Sequence, residues 1–341
     1  MRPFTYQRAD TPSAAVAAFG QVRGADALAS PVQYIAGGTT LVDLMKLDVM
    51  RPEKLIDINA LDHTSLGQIE AGHNGLKLGA MARMADAAEH PMVKRDYPVI
   101  AQSLQLAASQ QLRNMAALGG NVLQRTRCPY FRDTSYAECN KRNPGSGCAA
   151  IDGYNRSHAV LGVSDRCIAT YPGDFAQALI ALDASMEILG PNDRRTLEFA
   201  ALHRQPGDAP EVETRLAPGE MIASFLVPAA PWTRRSLYLK IRDRQSYEFA
   251  LASAAVALDL AGTIVRDVRI ALGGVATVPW RAKAAERVLR GKALDEANAQ
   301  AAAEAAFAEA RTFKHNAFKV ALGQRTLMRA LSEAAAMELP T

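Results

Sequence analysis

The sequence predicts an α+β protein in two parts, and three observations carry that expectation. Strands and helices alternate irregularly through residues 1–229, with glycine pairs at their junctions. Pro228-Ala229-Ala230-Pro231 then punctuates the chain as a domain boundary. Beyond it, in residues 230–341, three apolar strands follow one another before an Ala-rich helical remainder, the order of an antiparallel sheet backed by helices.

The elements follow in order. Thr11-Pro12-Ser13 opens a short Ala-rich helix, with a side-chain acceptor at Thr11 and proline at the first helical position. Gln33–Ala36 reads as a buried strand running into Gly37-Gly38-Thr39-Thr40, and Leu41–Leu47 has helical spacing. Strands are expected at Lys54–Ile58 and Leu76–Gly79, helices near Ala82–Glu89 and Val99–Ala108. Asp174–Leu182 reads as a helix and Ser185–Leu189 as a strand. The C-terminal strands are Ser236–Ile241, Ala252–Leu260 and Val265–Leu272. Ala299–Ala310 is a strong helix former, and a last helix carries Val320, Leu327, Leu331 and Ala334 on one stripe, expected against the sheet.

All four cysteines fall in one segment, at Cys128, Cys139, Cys148 and Cys167. Two disulfides are one reading, but those belong mainly to small exported domains short of core. A structural zinc site is a second; zinc knuckles usually pair cysteines two to four residues apart, and here the gaps are 10, 8 and 18 residues. An iron–sulfur cubane is the third, since it takes thiolates from any loops able to wrap it. Between Asn121 and Cys167, seven cations (Arg125, Arg127, Arg132, Lys141, Arg142, Arg156, Arg166) outnumber Asp133, Glu138, Asp152 and Asp165, which suits an anionic cluster.

Two glycine turns are candidate binding elements. Ile35-Ala36-Gly37-Gly38-Thr39-Thr40-Leu41 joins a strand to a helix, where converging N–H groups and a helix N-terminus suit a pyrophosphate. It lacks the Gly-x-Gly-x-x-Gly fingerprint, which disfavours a Rossmann fold. The second is Arg113-Asn114-Met115-Ala116-Ala117-Leu118-Gly119-Gly120-Asn121, where Gly119 and Gly120 let a flat ligand approach the backbone and Asn121 can donate and accept. Taken singly, either turn reads first as a tight loop that only glycine satisfies; Gly273-Gly274 is read only as one. Asp174 stands at a helix N-cap, suited to capping or to sugar hydroxyls. Lys240 interrupts an apolar strand, as a snorkelling edge residue or as a cation for a reduced flavin ring.

Composition bounds the rest. With 49% apolar and 22% charged residues and a net charge of +4, this is the profile of a globular protein without a nucleic-acid tract or membrane span. The start, Met1-Arg2-Pro3-Phe4-Thr5-Tyr6, has no apolar signal core, so folding is expected in the cytoplasm. Export remains open as cargo of a partner bearing its own twin-arginine signal.

Taken together, Ala36-Gly37-Gly38-Thr39, Arg113-Asn114 with Leu118-Gly119-Gly120-Asn121, and Cys167-Ile168-Ala169-Thr170 with Pro172-Gly173-Asp174 resemble the FAD-binding medium subunit of molybdenum hydroxylases, the xanthine dehydrogenase and carbon monoxide dehydrogenase family. The segment from Gln124 to Cys148, with Cys128-Pro129-Tyr130-Phe131 and Cys139-Asn140-Lys141-Arg142, is similar to the branch that adds a [4Fe-4S] cluster, on the side of bacterial aldehyde oxidoreductases. The resemblance implies a vanillyl-alcohol-oxidase (PCMH)-type two-part FAD-binding domain, residues 1–229 with a cluster insertion at about 122–167, followed by a CO-dehydrogenase-flavoprotein-like C-terminal domain, residues 230–341.

It also implies roles. The Gly37–Thr40 and Gly119–Asn121 turns would hold the pyrophosphate, Asp174 the ribityl or ribose hydroxyls, and Lys240 the flavin head. Phe249 would stand near the ring and control access of oxygen, and Cys128, Cys139, Cys148 and Cys167 would ligate the cubane. Ala117 and Gly173 depart from the threonine and serine common in the family, so any side-chain bond at those positions is lost. The implied function is electron transfer from a small partner with two [2Fe-2S] clusters to FAD and on to oxygen or another acceptor. A large molybdopterin-bearing partner would oxidise aldehydes to carboxylic acids. The cubane is expected in a structural or interface role, since the family mostly works without it. Alternatives are a 4-hydroxybenzoyl-CoA reductase-like medium subunit, a self-sufficient flavin oxidoreductase, and a zinc-stabilised scaffold. The histidines His63, His73, His90, His158, His203 and His315 are too scattered to suggest a substrate base.

Overall fold

The computed structural model describes residues 1–20, 27–191 and 193–339. Strands β1 (Thr5–Arg8), β2 (Val32–Ile35) and β3 (Lys54–Asp57) form a parallel sheet in the order β1-β3-β2. Parallel neighbours need crossovers, and the helices Pro12–Phe19 and Leu41–Lys46 provide them. Thr11 caps the first, its hydroxyl accepting from the Ala14 N–H at 3.1 Å.

A second, antiparallel sheet contains β4 (Ile69–Gly72), β5 (Gly75–Gly79), β6 (Ser185–Leu189), β7 (Arg194–Glu198) and β8 (Met221–Pro228), in the order β4-β5-β8-β6-β7. The helices Met84–Glu89, Pro98–Gln105 and Phe175–Ala181 share its core. Its central strand, β8, has no counterpart among the expected elements. Met-Ile-Ala-Ser-Phe-Leu-Val is buried on both faces and so shows no alternation, and its end merges with the proline-rich boundary. The edge strands β4 and β7 alternate half-buried with exposed residues and were equally silent in sequence.

The third sheet, β12-β11-β10-β9, is antiparallel: β9 (Ser236–Ile241), β10 (Ala252–Ala261), β11 (Ile264–Gly273) and β12 (Trp280–Arg281). Both of its faces are covered. Ala254, Val256 and Leu258 pack toward the helices Lys283–Leu289, Glu296–Ala306 and Phe318–Ala335, whose Leu327, Leu331 and Ala334 are buried there. Ala255 and Ala257, one residue out of phase, join Tyr238 in the core of the second sheet. The two parts of the chain therefore share a core across the proline-rich junction. Alanine suits β10 because helices approach both sides of it.

Leu44, Met45 and Leu55 face the cysteine segment and pack with Phe131 and Cys139. Among the described residues, no helix is long and apolar enough to cross a membrane.

Candidate functional site

Two adjoining cavities define the site. The narrower, about 150 Å³, lies between the parallel sheet and the rest and is lined by Ile35, Ala36, Gly37, Gly38, Thr39, Thr40 and Leu41, opposite Ala117 and Gly120. The wider, about 460 Å³, is lined by Asn121, Arg127, Asp174 and Phe249 among others. Thr39 and Thr40 line both, so one groove passes over the first glycine turn.

Backbone geometry explains the glycines. Gly38 has φ of +70°, a region side chains rarely adopt, and Val42 donates back to its carbonyl at 3.0 Å. A Cβ on Gly37 would stand 1.9 Å from the Met115 carbonyl oxygen, so this glycine is what allows the two turns to meet. Gly119 packs on Ala80, donating to its carbonyl at 2.8 Å. A Cβ on Gly120 would meet nothing within 4 Å and would project into open space at the groove. Sequence reasoning placed Gly119-Gly120-Asn121 in a turn; they form the helix Leu118–Val122, which Ala117 enters in extended conformation.

Asp174 and Lys240 differ from their expected settings. Asp174 makes no capping bond. Its carboxylate accepts from Lys240 Nζ at 2.7 Å and from the Tyr238 hydroxyl at 2.6 Å. Lys240 also donates to the Leu106 carbonyl at 3.0 Å, and its side chain is only 1% exposed. Although β9 is the edge strand of its sheet, Lys240 does not reach water, and it does not line the wider cavity. Burial pushes the Asp174 pKa up, against the pull of Lys240 and Tyr238.

The wider cavity shows unmet polar groups. Asn121 Oδ1 and Arg127 Nε are buried with no hydrogen-bond partner, one an acceptor and one a donor. These, with the open face at Gly120, fit a polar, flat ligand. Phe249 lines the cavity under the Arg127 guanidinium, 4.9 Å from its ring centroid. Arg127, Asp43, Arg132, Met84 and Tyr247 were missed as lining residues. Arg127 and Arg132 had entered only as members of a charge count, since nothing local signals their direction.

The four cysteines are drawn together and remain free. No disulfide joins them. Cys139 and Cys148 face each other across an isolated antiparallel bridge. Cys148 hydrogen-bonds Cys167, and Cys128 feels the charges of Cys167 and Cys139. His158 Nε2 lies 3.2 Å from Cys128 Sγ, and the Ala169 N–H donates to Cys167 Sγ at 3.5 Å. Burial pushes the Cys128 thiol up to about 12 and raises Cys139; the bond to Cys148, then burial, raises Cys167. Cys148 is held below its usual value, chiefly by Cys167. Among the described residues, no group of three or more His, Cys, Asp or Glu is arranged to hold a metal ion.

The expected cationic excess around these thiols is mostly cancelled by acids from outside the segment. Glu213 pairs with Arg125 at 2.6 Å and Lys141 at 3.2 Å. Asp43 pairs with Arg127 and Arg132, and Asp243 with Arg156. Arg142 is spent on backbone, donating to the Tyr130 and Phe131 carbonyls at 2.8 and 2.7 Å.

Comparison with known proteins now defines the class. Residues 2–230 match the family described as the FAD binding domain in molybdopterin dehydrogenase, and residues 237–334 the CO dehydrogenase flavoprotein C-terminal domain. The chain belongs to the FAD-binding medium subunits of the molybdenum hydroxylase family. It is 45% identical, over 98% of its length and 99% of the relative's, to the aldehyde oxidoreductase FAD-binding subunit PaoB of Escherichia coli (strain K12). It is 29% identical to the carbon monoxide dehydrogenase medium chain of Hydrogenophaga pseudoflava, over 97% and 96% of the two chains. The solved carbon monoxide dehydrogenase from H. pseudoflava that lacks the Mo-pyranopterin moiety superposes with a TM-score of 0.74 at 28% identity, covering 98% of each chain.

Proposed function

We propose that this chain is the FAD- and [4Fe-4S]-carrying electron-transfer subunit of a heterotrimeric molybdenum hydroxylase that oxidises aldehydes to carboxylic acids. The observation that carries this reading is the end-to-end likeness to an aldehyde oxidoreductase FAD-binding subunit at 45% identity. A large molybdopterin-binding partner would perform the oxidation, and a small partner with two [2Fe-2S] clusters would deliver the electrons.

Within the chain, residues 1–229 would bind FAD and residues 230–341 would close over the ring. The two-cavity groove matches an elongated dinucleotide. Gly37, Gly38, Thr39 and Thr40, with Gly120 opposite, would receive the pyrophosphate, supported by Ile35, Ala36, Leu41, Ala117 and Gly119. Asn121 would use its unpaired Oδ1 toward the cofactor, and Asp174, steadied by Lys240, would meet hydroxyls at the cavity wall. Bound FAD exchanges electrons singly with iron–sulfur centres and in pairs with its acceptor. Phe249 would screen the wider cavity from oxygen.

Cys128, Cys139, Cys148 and Cys167 would ligate the cubane in the insertion at about 122–167. The donor set fits: four free thiols on one irregular segment, with Cys139 facing Cys148 across a bridge, and cluster iron would supply the charge that deprotonates them despite burial. A cubane presents one iron to each thiolate and so spans a wider cage than a single ion.

Anaerobic purification with the co-expressed partners tests the reading. Stoichiometric FAD, iron and sulfide in a cubane ratio, and flavin absorption at roughly 450 nm over a broad shoulder are expected. A complex without FAD would refute the function; one with FAD but no sulfide would refute the cluster alone. The cluster's expected role is structural, so a Cys139→Ser complex that assembles fully yet no longer reduces its flavin would contradict that part.

A further inference from the structure

Once Lys240, behind the wall, is counted as the partner of Asp174, the charges around the wider cavity do not cancel evenly. Asp174 is matched by Lys240, and Glu248 by Arg244 at 3.4 Å. Asp43 alone faces two cations. Arg132 engages both of its oxygens, through Nη1 at 2.8 Å and Nη2 at 3.1 Å. Arg127 touches only one, through Nη1 at 3.0 Å, while its Nε is buried without a partner. Its guanidinium is fixed over the Phe249 ring, at the wall where a flat ligand would lie. The surplus positive charge of the cavity therefore sits at Arg127.

We propose that Arg127, the residue preceding Cys128, supplies the positive charge that stabilises the flavin ring in its reduced form, a role closed to Lys240 by its pairing with Asp174. Reduction brings two electrons, from the partner's iron–sulfur centres, and one proton from solvent, leaving one net negative charge on the ring. A fixed guanidinium in a partly dry cavity favours that charge without reorganising. Because Arg127 belongs to the cysteine segment, that segment sets the flavin's potential through a side chain, whether or not electrons traverse a cluster. The inference rests on the reading that the ring occupies the wider cavity.

The test is the flavin midpoint potential of the purified, FAD-loaded complex, with FAD and iron content measured alongside. Arg127→Gln is expected to lower the ratio of reduced to oxidised FAD affinity about tenfold, a fall of ~30 mV for a two-electron couple. Arg127→Lys is expected to restore most of it. Asp43→Asn, which removes the opposing carboxylate, is expected to shift the potential the other way. FAD-replete Arg127→Gln with an unchanged or raised potential would overturn the proposal while leaving the flavin assignment standing, as would Asp43→Asn with a lowered one. A wild-type complex that holds no FAD would instead remove the reading beneath it.

Discussion

Asp174 and Lys240 meet at 2.7 Å with side-chain exposures of 4% and 1%, one just before the helix Phe175–Ala181 and the other on β9. The pair bridges the junction between the two parts of the chain, and Tyr238 and the Leu106 carbonyl satisfy its remaining valences. Removing one partner leaves the other charge buried and unpaired, which typically costs ~3–5 kcal/mol. Lys240→Met is therefore expected to lower unfolding free energy by about that amount in denaturant titration. The double variant Lys240→Met/Asp174→Leu should cost clearly less than the sum of the two single changes, because it removes both charges.

The two glycine turns separate folding from binding. Gly37→Ala puts a methyl into the Met115 carbonyl and is expected to destabilise by ~1–3 kcal/mol, as overpacking does. Gly120→Ala meets open space within a helix, so it should leave stability unchanged or raise it by up to ~1 kcal/mol. Both should weaken FAD binding, measured by fluorescence titration of apoprotein. Gly120→Ala with full FAD affinity would show that the cofactor does not approach that face.

Glu213 holds two cations of the cysteine segment, Arg125 at 7% and Lys141 at 11% side-chain exposure. Burial alone would push its pKa up, but those cations together hold it below the usual range. Glu213→Gln is expected to cost ~3–5 kcal/mol and to reduce iron retained through gel filtration. Unaltered iron content would mean that the segment is held by its backbone contacts.

His203 predicts an acid limb. Burial pulls its pKa down to about 4 from the model-compound value of 6.5, its Nε2–H donates to the Val122 carbonyl at 2.9 Å, and its Nδ1 is buried without a partner. Above pH 6.5 neither folded nor unfolded chain protonates it; between 6.5 and about 4 only the unfolded chain does, so stability falls with pH across that window. The loss attributable to this group is ~3 kcal/mol. Urea titrations of wild type and His203→Gln from pH 7 to 4 should show a shallower decline in the variant.

Much of the fold was legible where periodicity and punctuation were strong. Thr11-Pro12 marked its helix to the residue, and β9, β10 and β11 lie where their apolar runs placed them. The central strand β8 escaped because burial on both faces erases alternation, and the edge strands because little of them is buried.

What the sequence determined by itself was local chemistry: which residues are small enough for close backbone approach, which atoms can ligate, and where the chain must turn. Those properties reside in single residues and short spacings, so the glycine turns, the cysteine quartet and the family resemblance were readable from order alone. Which charges remain available was decided only by the tertiary structure. Glu213, Asp43, Asp243 and Asp174 reach cations between 66 and 89 positions away, and long-range pairing of that kind has no signature in spacing. Folding cancelled Lys240 and most of the segment's positive charge, and left the surplus at Arg127.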